Sequence, residues 1–348
     1  MDLQALRQKE HQKRISKGYM WALFCAVLWG LWYIPGNLVW YTDAMGEGWG
    51  ELAASGLGDG GTLVVLAIVI TAMNALTVVI ALFVWNGVLG NYGEMWRTAK
   101  AFKPCSMWFL FASVFGGPVA ILGSFIAMGF VGGAFAAVAA LLYPVVGSLL
   151  AYLWHGEKIS KRAGVSILVI VVGGIVIFGG GVLTELRAGS VGWLGYIGGL
   201  MAATGWGIEG AIADKGLDIS GADTGLHLRF LSELGIWWLI ALPLLAVAGY
   251  PVFSVALSAF EPLTFGILMF AGITFGFCYV TWYKSFPLIG VGRGQGIANL
   301  YGLFAVISII LFFGQVPEWT ILLGGALCIA GSLMMMTEES LDLETLRR

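Results

Sequence analysis

Charge is scarce in this sequence. Asp, Glu, Lys and Arg make up 11% of 348 residues, and 18 Lys+Arg against 20 Asp+Glu leave a formal net charge of −2. Without a basic excess there is no electrostatic footprint for nucleic acid, and without an acidic block there is no solvating tail. Histidine is scarcer still: His11, His155 and His227 are spread along the chain. Four cysteines, Cys25, Cys105, Cys278 and Cys328, share none of the spacings that hold zinc or haem or form a redox pair, so neither a disulfide nor a metal centre is expected. The glycine-rich run Gly290–Gly296 matches neither GxGxxG nor the Walker pattern and follows no strand, so no nucleotide cofactor is expected. An enzyme embedded in a membrane should show HExxH, a His/Asp pair or a carboxylate dyad near the interface. The sequence has none of these, which predicts a non-enzyme and leaves a lipid-modifying enzyme as a remote alternative.

Apolar surface is what the chain has in excess. Hydrophobic residues reach 59% before the 52 glycines are counted, against about 45–50% for both together in soluble domains. The bilayer core is about 30 Å thick and waterless, so each crossing needs about 20 apolar residues in a helix that satisfies its own backbone. Ten such segments are read: Gly18–Tyr41, Thr62–Trp85, Met107–Phe130, Gly132–Trp154, Ala163–Leu183, Gly192–Ala213, Leu226–Ala248, Pro262–Trp282, Arg293–Phe313 and Trp319–Met336. They predict an all-α polytopic membrane protein with ten transmembrane helices. Its parts are a basic cytoplasmic segment (1–17), a first five-helix unit (18–183), a second (192–336) and a cytoplasmic tail (337–348).

Basic residues stay on the cytoplasmic side. With the N-terminus inside, every Lys and Arg falls there except Arg187, left outside, and Arg229, within the seventh span. The external segment 42–61 carries Asp43, Glu47, Glu51 and Asp59 but no Lys or Arg, which agrees. The prediction is a multi-pass protein of the cytoplasmic membrane with both termini inside and an uncleaved first anchor.

The chain also repeats itself weakly. A shift of 174 residues places Trp32 on Trp206, Ile34 on Ile208 and Gly36 on Gly210; a shift of 158 places Gly132 on Gly290, Tyr143 on Tyr301, Gly156 on Gly314 and Gly173 on Gly331. Each unit holds five spans, an odd number, so the two enter the bilayer in opposite senses. Inverted repeats around a midplane site are the pattern of alternating-access transporters. A channel would instead build its pore from oligomeric symmetry.

The stretch Tyr143–Phe178 (YPVVGSLLAYLWHGEKISKRAGVSILVIVVGGIVIF) resembles the fourth helix, Gly-Glu turn and fifth helix of the drug/metabolite transporter superfamily, in its EamA-like ten-helix form. Leu300–Gly331 resembles the second copy, with Gln315 where the Glu usually stands. The resemblance implies a central cavity lined by the first, third, fourth, sixth, eighth and ninth helices. It leaves the substrate open.

Candidate binding residues follow from position. Trp29, Trp32 and Tyr33 share a mid-span face of the first helix, and Trp206 repeats that feature in the sixth. Glu209 lies three residues after Trp206, where the first helix has Pro35; a carboxylate in a span costs about 2.5–3.5 kcal/mol and needs a partner or a function. It would neutralise a cation or carry an exchangeable proton, or else be hydrated from the cytoplasm. Arg229 and Glu233, at i and i+4, read as an ion pair near the cytoplasmic end or as a gate latch, with Glu233 a second proton-coupling candidate. Tyr143 and Tyr301 occupy matching places as cavity walls. Tyr279 shares a face with Trp282 and Tyr283, the latter two also readable as belt residues, and His227 reads as interfacial. Gln295 and Asn299 lie four apart on the ninth helix, where amides need other helices or water.

Gly116, Gly117 and Pro118, with Pro35, read as hinges. The glycine rows Gly173, Gly174, Gly179, Gly180, Gly181 and Gly324, Gly325, Gly331 permit close backbone approach, within one chain or in a homodimer. The expected partners are thus a small-molecule substrate and the lipid bilayer. Aromatic faces beside a carboxylate suit an organic cation or drug-like metabolite, while the amides would suit a neutral sugar or amino acid.

Overall fold

A computed structural model describes residues 3–155, 159–179 and 181–336. Lys158, Gly156, Gly180 and the tail 337–348 lie outside the described residues. The helices are α1 (Leu3–Leu38), α2 (Asp43–Ala54), α3 (Asp59–Val88), α4 (Tyr92–Lys100), α5 (Met107–Phe130), α6 (Gly133–Trp154), α7 (Lys161–Gly179), α8 (Gly181–Ala188), α9 (Trp193–Leu217), α10 (Ala222–Val247), α11 (Val252–Ser258), α12 (Pro262–Ile289), α13 (Val291–Phe313) and α14 (Trp319–Met336). Among the described residues there is no strand.

Among the described residues, eight helical stretches are long and apolar enough to cross a membrane. The segments α9 and α14 are helical where spans were read but fall outside that set. In α9 the glycines, Glu209 and Asp214 dilute the hydropathy; in α14 the apolar stretch, Trp319–Met335, is short. Segment 42–61 is more ordered than a loop, because α2 buries Ala44, Met45, Gly48 and Leu52 and seats Gly48 against Val255 of α11.

The layout centres on α1 and α9. The first packs against α12 and α13, the second against α5 and α6, while α3 meets both α10 and α12. At one edge α7 packs along α14, where a Cβ on Gly173 would strike the Gly324 carbonyl and one on Gly331 the Ser166 carbonyl. These glycines therefore serve contact within the chain, whereas Gly179 faces open space.

Three irregularities shape the centre. In α5, residues Phe115–Ile121 form a π-helical turn around Pro118, whose missing N–H and bulky ring prevent a regular ladder. Helix α6 tightens into a 3₁₀ turn at Ala140–Leu142, and α13 breaks at residues 299–300. Both of these broken helices are preceded by a glycine with positive φ, Gly132 at 120° and Gly290 at 82°, a conformation that other residues rarely adopt.

Candidate functional site

Two clusters meet at the middle of the bundle, one aromatic and one ionic. Helix periodicity brings Trp29, Trp32 and Tyr33 to the inward face of α1, and all three are fully buried. Trp29 stacks on Tyr301 at 4.5 Å and meets Trp206 edge-on at 4.7 Å, with Tyr143 at 5.5 Å and Trp282 at 5.7 Å. Trp32 stacks on Phe275 at 4.3 Å and touches Phe125, while Tyr33 lies parallel to Tyr301 at 5.8 Å. These rings have no exposed surface, so no water-sized hollow adjoins them. These rings fill the place where the family resemblance implies a cavity.

The ionic cluster sits beside them. Arg229 Nε donates to Glu209 Oε1 at 2.5 Å, and its Nη1 donates to Glu233 Oε2. Glu209 also accepts from the hydroxyls of Tyr279, at 2.8 Å, and Tyr283, at 3.2 Å. Trp206 Nε1 donates to the Tyr279 hydroxyl at 2.6 Å, which joins the two clusters. Trp237 Nε1 donates to Glu233 Oε1 at 3.2 Å, and the guanidinium lies over the Phe230 ring at 4.1 Å. Glu209, Arg229 and Glu233 are all fully buried.

The floor beneath this cluster is backbone. A Cβ on Gly116 would collide with Arg229 Nη2 and the Glu209 carboxylate, and one on Gly117 would meet Glu233 at 2.6 Å. These glycines, read as hinge residues, lie in the π turn of α5 and make room for three charged side chains.

Several expectations change accordingly. Glu209 is not hydrated from the cytoplasm, because Tyr279, Tyr283 and Arg229 enclose it. Arg229 and Glu233 do form an i,i+4 pair, but it is central, and α10 contributes to the site although the resemblance leaves the seventh span out. His227 is buried within the bundle, with Nδ1 3.3 Å from Asn86 Nδ2. Trp282 and Tyr283 are core residues, not an interfacial belt.

Gln295 lies between Gly147 and Gly210, where a Cβ on either glycine would overlap its amide. Its Oε1 makes no hydrogen bond, nor do Trp29 Nε1 and Trp282 Nε1. Asn299 stands apart: its amide donates to the Leu141 carbonyl and to Ser332 Oγ, both at 2.8 Å, stapling α13 to α6 and α14. The two paired tyrosines spend their hydroxyls on backbone. Tyr143 donates to the Gln295 carbonyl at 2.7 Å and Tyr301 to the Ala137 carbonyl at 2.8 Å.

The fold and site thus define a multi-pass, all-helical membrane protein with charge sealed at its centre. Residues 52–179 match the EamA-like transporter family, and the stretch Tyr143–Phe178 read from sequence falls inside that match. Over that stretch the chain is similar to a family of transporters. No curated protein matches it. One solved crystal structure, described only as that of a protein, aligns with TM-score 0.50 and 16% identity over 93% of this chain and 99% of its own. At that identity the likeness concerns the fold alone.

Proposed function

We propose that this chain is a secondary active transporter in the cytoplasmic membrane, with both termini inside. It moves a small organic solute, with an organic cation favoured, by alternating access between two inverted five-helix repeats. The observation that carries the proposal is the Glu209–Arg229–Glu233 cluster. Two carboxylates face one guanidinium with no access to water, and an unbalanced buried charge is costly. One proton or one cationic ligand balances the site, and exchange between them is a coupling mechanism. The surrounding rings offer the faces that attract ammonium groups, by about 0.5–2 kcal/mol each.

The repeat reading is supported by reciprocity. A shift of 158 residues carries Tyr143 to Tyr301 and Ala137 to Gln295, so the bonds Tyr143–Gln295 and Tyr301–Ala137 exchange under it. The contacts of Gly173 with Gly324 and of Gly331 with Ser166 exchange in the same way.

Flux driven by a pH jump in proteoliposomes tests the proposal. Wild type is expected to accumulate a quaternary amine in a pH-dependent manner, and Glu209→Gln to lose that dependence. Normal transport by the variant at every pH would remove Glu209 from the mechanism. A neutral sugar or amino acid is the second reading, favoured by the unpaired Gln295 Oε1 and the Trp29 and Trp282 indoles. Competition between a quaternary amine and glucose separates the two.

A further inference from the structure

The two ends of the bundle differ. At the end that the charge pattern assigns to the cytoplasm, Asp223 of α10 accepts from Trp85 Nε1 of α3 at 2.8 Å and pairs with Lys284 of α12 at 2.9 Å. Lys284 also lies over the Trp21 ring at 5.2 Å, so four helices are tied together there. The opposite end holds a partly open recess of about 300 Å³. Its walls come from the starts of α6, α9 and α14, from Ile177 of α7 and from Gly181 of α8.

The lining chemistry is specific. Phe135 and Tyr196 form adjoining walls, 4.6 Å apart between ring centres, and Phe178 packs against both at 5.6 and 6.3 Å. Glu318 and Gln315 line the recess, while Glu185 lies outside its lining and accepts from the Ser190 hydroxyl. Among the described residues no Lys or Arg lines the recess. Arg187 follows Glu185 by two positions on α8, a spacing at which side chains do not face each other. Asp43, Glu47, Glu51 and Asp59 belong to the same end by the sequence topology and add to its negative field.

The recess also lies in line with the central cluster. Phe135 packs on Gly199 of α9, and Trp206 follows Gly199 by seven residues, two helical turns or about 10 Å. The geometry points to a second, outer binding site in this recess, where an organic ammonium ion is held by the Phe135–Tyr196 wall and the Glu318 carboxylate before it reaches the centre. Only this last passage to the centre rests on the function proposed above.

Equilibrium binding of radiolabelled tetraethylammonium to the full chain in nanodiscs, with and without excess glucose, tests this. Two saturable components are expected, and glucose should not displace the recess component. Glu318→Gln should weaken that component about tenfold, and Tyr196→Leu about threefold. Glu318→Lys, at an exposed position that carries little folding risk, should abolish it. Glu209→Gln should remove only the other component. Loss in Glu209→Gln with unchanged binding in all the recess variants would end the outer site and leave the central reading intact. Loss in the recess variants alone would do the reverse. Displacement of the recess component by glucose, or no saturable binding at all, would overturn the outer site.

Discussion

Two tryptophans that coincide under the sequence repeat sit in opposite chemical settings. Trp206 belongs to the charged side: its indole reaches Tyr279, then Glu209, then Arg229. Trp32 belongs to a neutral side, where its indole donates to Asn74 Oδ1 at 3.3 Å and its ring lies on Phe275. Where α9 carries Glu209, α1 carries Pro35. Similar helix positions therefore support unlike polar groups, and the ionic machinery is concentrated on one side of the centre.

The comparison breaks hardest at Arg229. Arg229→Met leaves two buried carboxylates without a cation, which should cost about 3–5 kcal/mol and read out as a large fall in thermal unfolding temperature in detergent. Adding Glu209→Gln to that variant should recover part of the loss; equal or greater destabilisation would contradict the charge count. Next comes Gly116→Ala, whose methyl meets the guanidinium and carboxylate, at about 1–3 kcal/mol. On the neutral side, Asn74→Leu should cost only about 1 kcal/mol for one lost hydrogen bond and leave the pH profile of transport unchanged. A shifted profile would show that the two sides are coupled.

The smallest effect is expected at the end of α12, the helix that supplies Tyr279 and Tyr283. Glu261 is exposed and caps α12, accepting from the backbone of Leu263 and Thr264 and from the Thr264 hydroxyl. Those bonds hold its carboxyl below the usual carboxylate range. A folded-state value below the unfolded one gives stability that is present at neutral pH and lost as pH falls through the folded value. Glu261→Gln should therefore lower the unfolding temperature slightly at pH 7, change it little at low pH, and so flatten part of the acid limb of the curve.

Helix positions and most of the aromatic centre were legible because period and polarity are local. The spacing of Trp29, Trp32 and Tyr33 shows which face of α1 turns inward, and the odd carboxylate at Glu209 announces a partner without naming it. The partner was not legible. Arg229 and Glu233 satisfy each other at i,i+4, so the sequence gives no sign that a third group from α9 joins them. Phe275 and Phe125 resembled any core phenylalanine. Gly116 and Gly117 suggested flexibility, whereas their use is volume for side chains that only the assembled bundle brings near. Asn299, chosen for its polarity, serves helix contact because its amide finds partners on α6 and α14.

The phenols of Tyr143 and Tyr301 each donate to a peptide oxygen. Such a clasp is blind to identity, since every amino acid offers the same carbonyl. That is how one clasped position can be an alanine and the other a glutamine without either fastening being lost, leaving the residue held at 295 free to acquire a chemistry of its own.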